Sequence, residues 1–143
     1  MIRLAFCTDG IFPQAVGGIQ RHSKLLVEEL ATYSDVEIEV FHPHQELLFE
    51  GLENVTEIQI ENINASKNYL LECRKYSKRI HAKLITLEYD VIYSQGLSVW
   101  YKATDFASRL VVNPHGLEPY QALSRRDKLI AIPFKLVFSR LFK

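Results

Sequence analysis

Five short apolar runs, each stopped by a polar residue, a glycine or a proline, alternate along this chain with longer segments of helical periodicity. Ile2–Thr8 is almost continuously apolar and stops at Asp9-Gly10, the pattern of a strand covered on both faces. Val36–Phe41 stops at His42-Pro43-His44, Asp90–Ser94 at Gln95-Gly96, and Arg109–Asn113 at Pro114-His115-Gly116. Thr56–Ile60 alternates polar and apolar, which places it nearer a sheet edge. Between these runs, Ile19, Leu26, Leu30 and Tyr33 recur at helical steps over 19–33, and Tyr69, Cys73, Tyr76, Ile80, Leu84 and Leu87 form one apolar stripe over about 67–87. Arg74, Lys75, Lys78, Arg79 and Lys83 fall mostly off that stripe and read as a solvated face rather than a binding patch. A further helix is expected over 98–108, packing through Trp100, Ala103, Phe106 and Ala107. Strands separated in this way by helices predict an α/β fold with a mainly parallel sheet.

The chain has 143 residues, enough for one domain spanning 1–143 and too few for two. Seventeen basic and seventeen acidic residues give a net charge of zero. That argues against general nucleic-acid binding, which draws its affinity from neutralising many phosphates. No apolar run approaches the roughly 20 residues that span a bilayer, and Met1–Cys7 is too short for the apolar stretch of a signal peptide. The expectation is a cytoplasmic protein in which Cys7 and Cys73 are reduced packing residues. Asn54-Val55-Thr56 and Asn64-Ala65-Ser66 match a glycosylation sequon and, without a secretory signal, read as chance matches.

Ligands of parallel α/β sheets sit beyond the carboxyl ends of the strands, near the point where strand order reverses. That selects the loops 9–18, 42–44, 95–96 and 113–118. In the first, Gly17-Gly18 precedes a helix, where glycines let a ligand approach the backbone and free N–H groups attract an anion. The alternative is a glycine pair that only permits a turn. Neither a G-x-G-x-x-G nor a Gly-Lys-Ser/Thr sequence occurs. In the last loop, His115 is followed by glycine and by Glu118. It suits hydrogen bonding to a sugar hydroxyl or a phosphate, or serves only as a loop residue. His42 and His44 are two imidazoles without a third ligand at suitable spacing, so no metal site is expected.

Together, Thr8-Asp9-Gly10-Ile11-Phe12-Pro13, Val16-Gly17-Gly18-Ile19-Gln20-Arg21-His22-Ser23, Asp90–Gly96 and Val112–Glu118 resemble the N-terminal half of family-4 glycosyltransferases of the GT-B fold. The likeness runs through the whole chain, and the first and last motifs are its specific parts. It implies a Rossmann-like three-layer sandwich, one half of a GT-B fold, that mainly binds the acceptor. The C-terminal domain, which holds the nucleotide-sugar donor, has no counterpart in residues 1–143, and the N-terminal domain itself reads as truncated.

The resemblance further implies retention of anomeric configuration with no metal or other cofactor. Gly17 and Gly18 would contact the donor phosphates, and His115 would be the catalytic histidine beside the transferred sugar. Asp9, Gln20, Arg21, Gln95 and Glu118 are weaker candidates for contacts to a sugar or lipid-linked acceptor. The isolated chain is expected to be inactive for lack of most donor-binding groups. The alternative function is a stand-alone Rossmann- or flavodoxin-like binding module.

Residues 125–143 carry six cations and one anion among apolar residues. This segment reads either as a helix packed on its own domain, kinked near Pro133, or as a peripheral contact of 128–143 with the inner face of a membrane, the basis of a third reading as a docking adaptor.

Overall fold

A computed structural model describes residues 1–64, 68–114, 120 and 124–141. The five apolar runs form five strands: β1 (Ile2–Cys7), β2 (Val36–His42), β3 (Val55–Gln59), β4 (Val91–Gln95) and β5 (Leu110–Asn113). All neighbours pair in parallel, in the order β3-β2-β1-β4-β5. The architecture is therefore Rossmann-like α/β. As the alternation over 56–60 predicts, β3 lies at one edge, with half-buried and exposed side chains throughout.

Parallel strands require crossovers, and the helices of these crossovers cover opposite faces of the sheet. Leu4, Phe6, Ile38 and Val40 point to one face, where they pack with Val27 of α1 (Gly18–Leu30). Ala5, Cys7, Phe41 and Ile92 point to the other, with Tyr76, Ile80 and Leu84 of α2 (Tyr69–Leu84). The alternation within β1 thus feeds two cores, which is why the run is apolar at nearly every position. Phe6, Phe41, Tyr76 and Ile80 are almost fully buried, each contributing roughly 1.5–3 kcal/mol. Cys7 and Cys73 are free and buried, one in the strand and one on the helix.

Three expectations about helices change: α2 ends at Leu84, not Leu87, and the two ends of its expected stripe, Tyr69 and Leu87, are exposed. The inner face of α1 is centred on Ser23 and Val27, with Leu26 and Leu30 at its margins and Tyr33 beyond the helix and exposed. Ser23 turns inward because its hydroxyl has partners at the strand ends. The segment 98–108 is not an α-helix but loop and one 3-10 turn, Ala103–Phe106. Its backbone donors are taken elsewhere: Val99 N–H by Ser94 Oγ at 2.9 Å, and Trp100 and Tyr101 N–H by Ser77 Oγ of α2 at 2.7 and 2.8 Å. Side-chain hydroxyls here outcompete the i−4 carbonyls of a helix. Lys102 then takes a left-handed conformation, φ 49°. Of the four expected packing residues only Phe106 is fully buried; Trp100 and Ala103 are half-buried and Ala107 is exposed.

The chain divides into two units, residues 1–113 and 114–143. The second contains α3 (Arg125–Leu141), with Pro133 inside it, and Tyr120, whose hydroxyl donates to Lys135 O at 3.3 Å. Among the described residues no helix is long and apolar enough to cross a membrane.

Candidate functional site

The chain runs from β1 outward to β2 and β3, then returns to place β4 on the other side of β1. Strand order reverses between β1 and β4, and the loops leaving their carboxyl ends flank the crevice that such a reversal opens. Asp9, Gly10 and the first turn of α1 stand on one side, Gln95 and Gly96 on the other.

Thr8 forms the floor. It is fully buried, and its N–H donates to Phe41 O at 3.0 Å. Its hydroxyl donates to Gly10 O at 2.9 Å, and its carbonyl accepts from Tyr76 of α2 at 2.6 Å. Thr8 Oγ1 also lies 3.4 Å from Ser23 Oγ, which donates to Ile19 O at 3.0 Å and accepts from Gln95 Nε2 at 3.1 Å. A buried polar chain thus joins β1, α1 and β4 beneath the crevice. Gln95 belongs to that chain: it is 1% exposed, and among the described residues its Oε1 has no partner. The structure places it under the crevice rather than on its surface. Gly96 follows in the left-handed region, φ +55°, which lets the chain turn away from β4.

The glycines of the first loop have different reasons. A Cβ on Gly10 would fall 2.9 Å from Ala15 Cβ, a short side chain that cannot swing aside, so the turn requires glycine there. A Cβ on Gly17 would collide with Gln20 Oε1, the mobile end of a long side chain. Gln20 spans the loop, its Cγ lying 3.3 Å from the place of a Gly10 Cβ. Gly18 is exposed, with open space where its Cβ would be. As the first residue of α1 it lies at the positive end of the helix, and among the described residues no side chain caps that end. The first turn holds no acidic residue. Arg21 is exposed one turn in, its guanidinium 5.0 Å from the centre of the Phe12 ring. This terminus is electrostatically suited to an anion.

Asp9 is half-buried, and its own backbone N–H donates to its carboxylate. Burial raises its pKa above the usual carboxylate value, opposed in part by a backbone N–H. Its charge reaches the amino-terminal half of α2. Burial first, then Asp9, hold Tyr76 well above its ordinary value, and burial with a smaller Asp9 contribution pushes the Cys73 thiol up to about 11.

His42 and His44, which suggested at most an incomplete metal site, brace the loop instead. Glu57 of β3 accepts from His42 Nε2 at 2.8 Å and from the N–H groups of Leu48 and Phe49 at 2.9 Å. His42 Nδ1 accepts from His44 N–H at 3.2 Å, and His44 Nε2 accepts from Ile11 N–H at 2.9 Å. These bonds occupy both nitrogens of His42 and one of His44, and they require neutral rings. Desolvation accordingly lowers both histidine pKa values: Glu57 opposes the shift at His42, while His42 adds to it at His44. Among the described residues no cluster of three or more His, Cys, Asp or Glu could hold a metal ion.

Of the predicted site residues, the structure gathers Asp9, Gly17, Gly18, Gln20 and Arg21 on the first loop and helix terminus, and sets Gln95 beneath them. His115 and Glu118 lie outside the described residues. Sequence reasoning missed Gly10, Thr8, Ser23, Tyr76 and the Glu57–His42–His44 chain. A Thr-Asp-Gly turn was a usable signal for Gly10, whereas Thr8–Ser23, Thr8–Tyr76 and His42–Glu57 are 15 to 68 residues apart and leave no local pattern.

Comparison with known families matches the chain to no family model, and comparison with curated proteins finds no match either.

Proposed function

We propose that this chain is the acceptor-side domain of a retaining, metal-independent glycosyltransferase of the GT-B type. Such an enzyme moves a sugar from a nucleotide-sugar to a glycan or lipid-linked acceptor. The observation that carries the reading is the start of α1 at the switch point, where among the described residues no side chain caps the first turn and Gly18 leaves open space. The parallel order of the sheet and the resemblance of residues 8–23 and 112–118 support it.

In this reading the α1 terminus stabilises charge that develops on the leaving diphosphate, an electrostatic contribution made by fixed dipoles. Gly17 and Gly18 admit the phosphates, while Asp9, Gln20 and Arg21 face the acceptor side. His115 and Glu118 keep the roles implied by the resemblance, a donor beside the transferred sugar and an acceptor contact. Gln95 acts from below, by holding Ser23 and so the first turn of α1. The donor nucleotide is held by a second domain, and residues 1–143 alone transfer no sugar.

The test is transfer of labelled sugar from a panel of nucleotide-sugars by the native polypeptide that carries this domain. Gly18→Trp fills open space without an internal clash. The reading expects it to lower transfer by about a hundredfold or more at an unchanged melting temperature. Undiminished transfer by the variant, or no transfer across the panel, overturns the reading.

A further inference from the structure

The loops after β1, β2 and β3 line an open groove of about 660 Å³. Its walls carry four carboxamides, Gln14, Gln45, Gln59 and Asn62, together with His44. A carboxamide offers a donor and an acceptor side by side, which matches neighbouring hydroxyls that each both donate and accept. Asn62 Oδ1 takes the Ile63 N–H, which leaves its NH₂ group available. His44 accepts the Ile11 N–H through Nε2, so its ring proton sits on Nδ1 as a further donor.

The remaining polar lining is acidic. Glu46 accepts from Gln14 Nε2, which ties the first loop to the β2 loop. Glu61 is matched by Arg79, with Nε 2.9 Å from Oε2. No cation lines the groove among the described residues, and carboxylates accept but do not donate. Among the described residues that line the groove, an anionic ligand would meet the carboxylate of Glu46 and no cation. The chemistry differs from that of the α1 terminus, which favours negative charge.

We infer that this groove binds a polyhydroxylated ligand without negative charge, an uncharged or amino-bearing sugar residue. Resting on the transferase reading, this names the acceptor class: a glycan end free of phosphate and uronate groups at the residue bound. Glu46 is the specificity-determining side chain, able to pair with an ammonium group and to repel a carboxylate.

The experiment titrates this chain with glucose, glucosamine and glucuronate, three ligands that differ chiefly in charge, and follows side-chain amide and imidazole NMR signals. Glucose and glucosamine should give saturable shifts at Gln45, Gln59, Asn62 and His44, with glucuronate at least about tenfold weaker. Glu46→Lys should invert the preference between glucosamine and glucuronate. Equal binding of glucuronate, or no saturable shift in the groove, overturns the proposal. The readout needs neither donor nor turnover. Saturation here with failed transfer overturns the transferase reading alone, and transfer without groove shifts overturns this inference alone.

Discussion

Glu57→Ala removes the carboxylate on which the β2 loop is hung. Glu57 and His42 side chains are 6% and 2% exposed. Loss of the carboxylate abandons the Leu48 N–H, the Phe49 N–H and the His42 Nε2–H together. Each stranded buried donor costs about 1–3 kcal/mol. The three share one partner and one loop, so their losses do not add in full. A total of about 3–5 kcal/mol follows, less than the full sum of three stranded donors. Glu57→Gln keeps one carbonyl acceptor but turns an NH₂ group toward donors, and should cost about 1–3 kcal/mol. Urea unfolding followed by circular dichroism measures both. With m near about 2 kcal/mol/M, Glu57→Ala should move the midpoint down by about 1.5–2.5 M. Glu53→Gln, at an exposed position in the same region, is the control and should change stability by less than about 0.5 kcal/mol. A loss below about 1 kcal/mol for Glu57→Ala would refute the bracing role.

Two predictions concern pH. The folded-state pKa values of His42 and His44 are depressed, so their contribution is fully present above about 6.5 and is lost as pH falls through the folded values, at up to about 1.4 kcal/mol per pH unit for each ring. His44→Gln retains an acceptor for Ile11 N–H but does not titrate. Its stability should decline less steeply below pH 6.5, and identical slopes would contradict the assignment. Asp9 acts in the opposite sense: its raised pKa means that the fold favours the protonated acid, so stability falls as pH rises through 3.8 toward the folded value. Asp9→Asn should therefore melt higher than the parent at pH 7, and a lower melting temperature would exclude burial as the cause.

The order of elements was legible because β1, β2 and β4 alternate between two buried faces and α2 carries an unbroken stripe from Cys73 to Leu84. Parallel pairing followed from those patterns. What remained hidden depends on partners distant in sequence. Ser77 Oγ captures the N–H groups of Trp100 and Tyr101, and nothing within 98–108 announces that its donors are spoken for. His42-Pro43-His44 presented two ring nitrogen pairs whose engagement depends on Glu57 from the next strand and on Ile11 from the previous one. For the candidate site, Gly17-Gly18 marked the helix terminus correctly. The steric need at Gly10 emerges only from the fold of 10–15, which brings Ala15 back over it.

Thr8 bonds to β2 through its N–H, to α2 through its carbonyl and to the Gly10 turn through its hydroxyl, with Ser23 of α1 within reach. One residue therefore couples both helical layers to the central strand, and neither layer can slide without breaking a buried bond. The turn 10–17 is fastened separately, through Ile11, which is fully buried and whose N–H donates to His44, and through Gln14, which donates to Glu46. A substitution at the exposed Val16 leaves these bonds untouched, whereas a change at Thr8 strikes both layers at once.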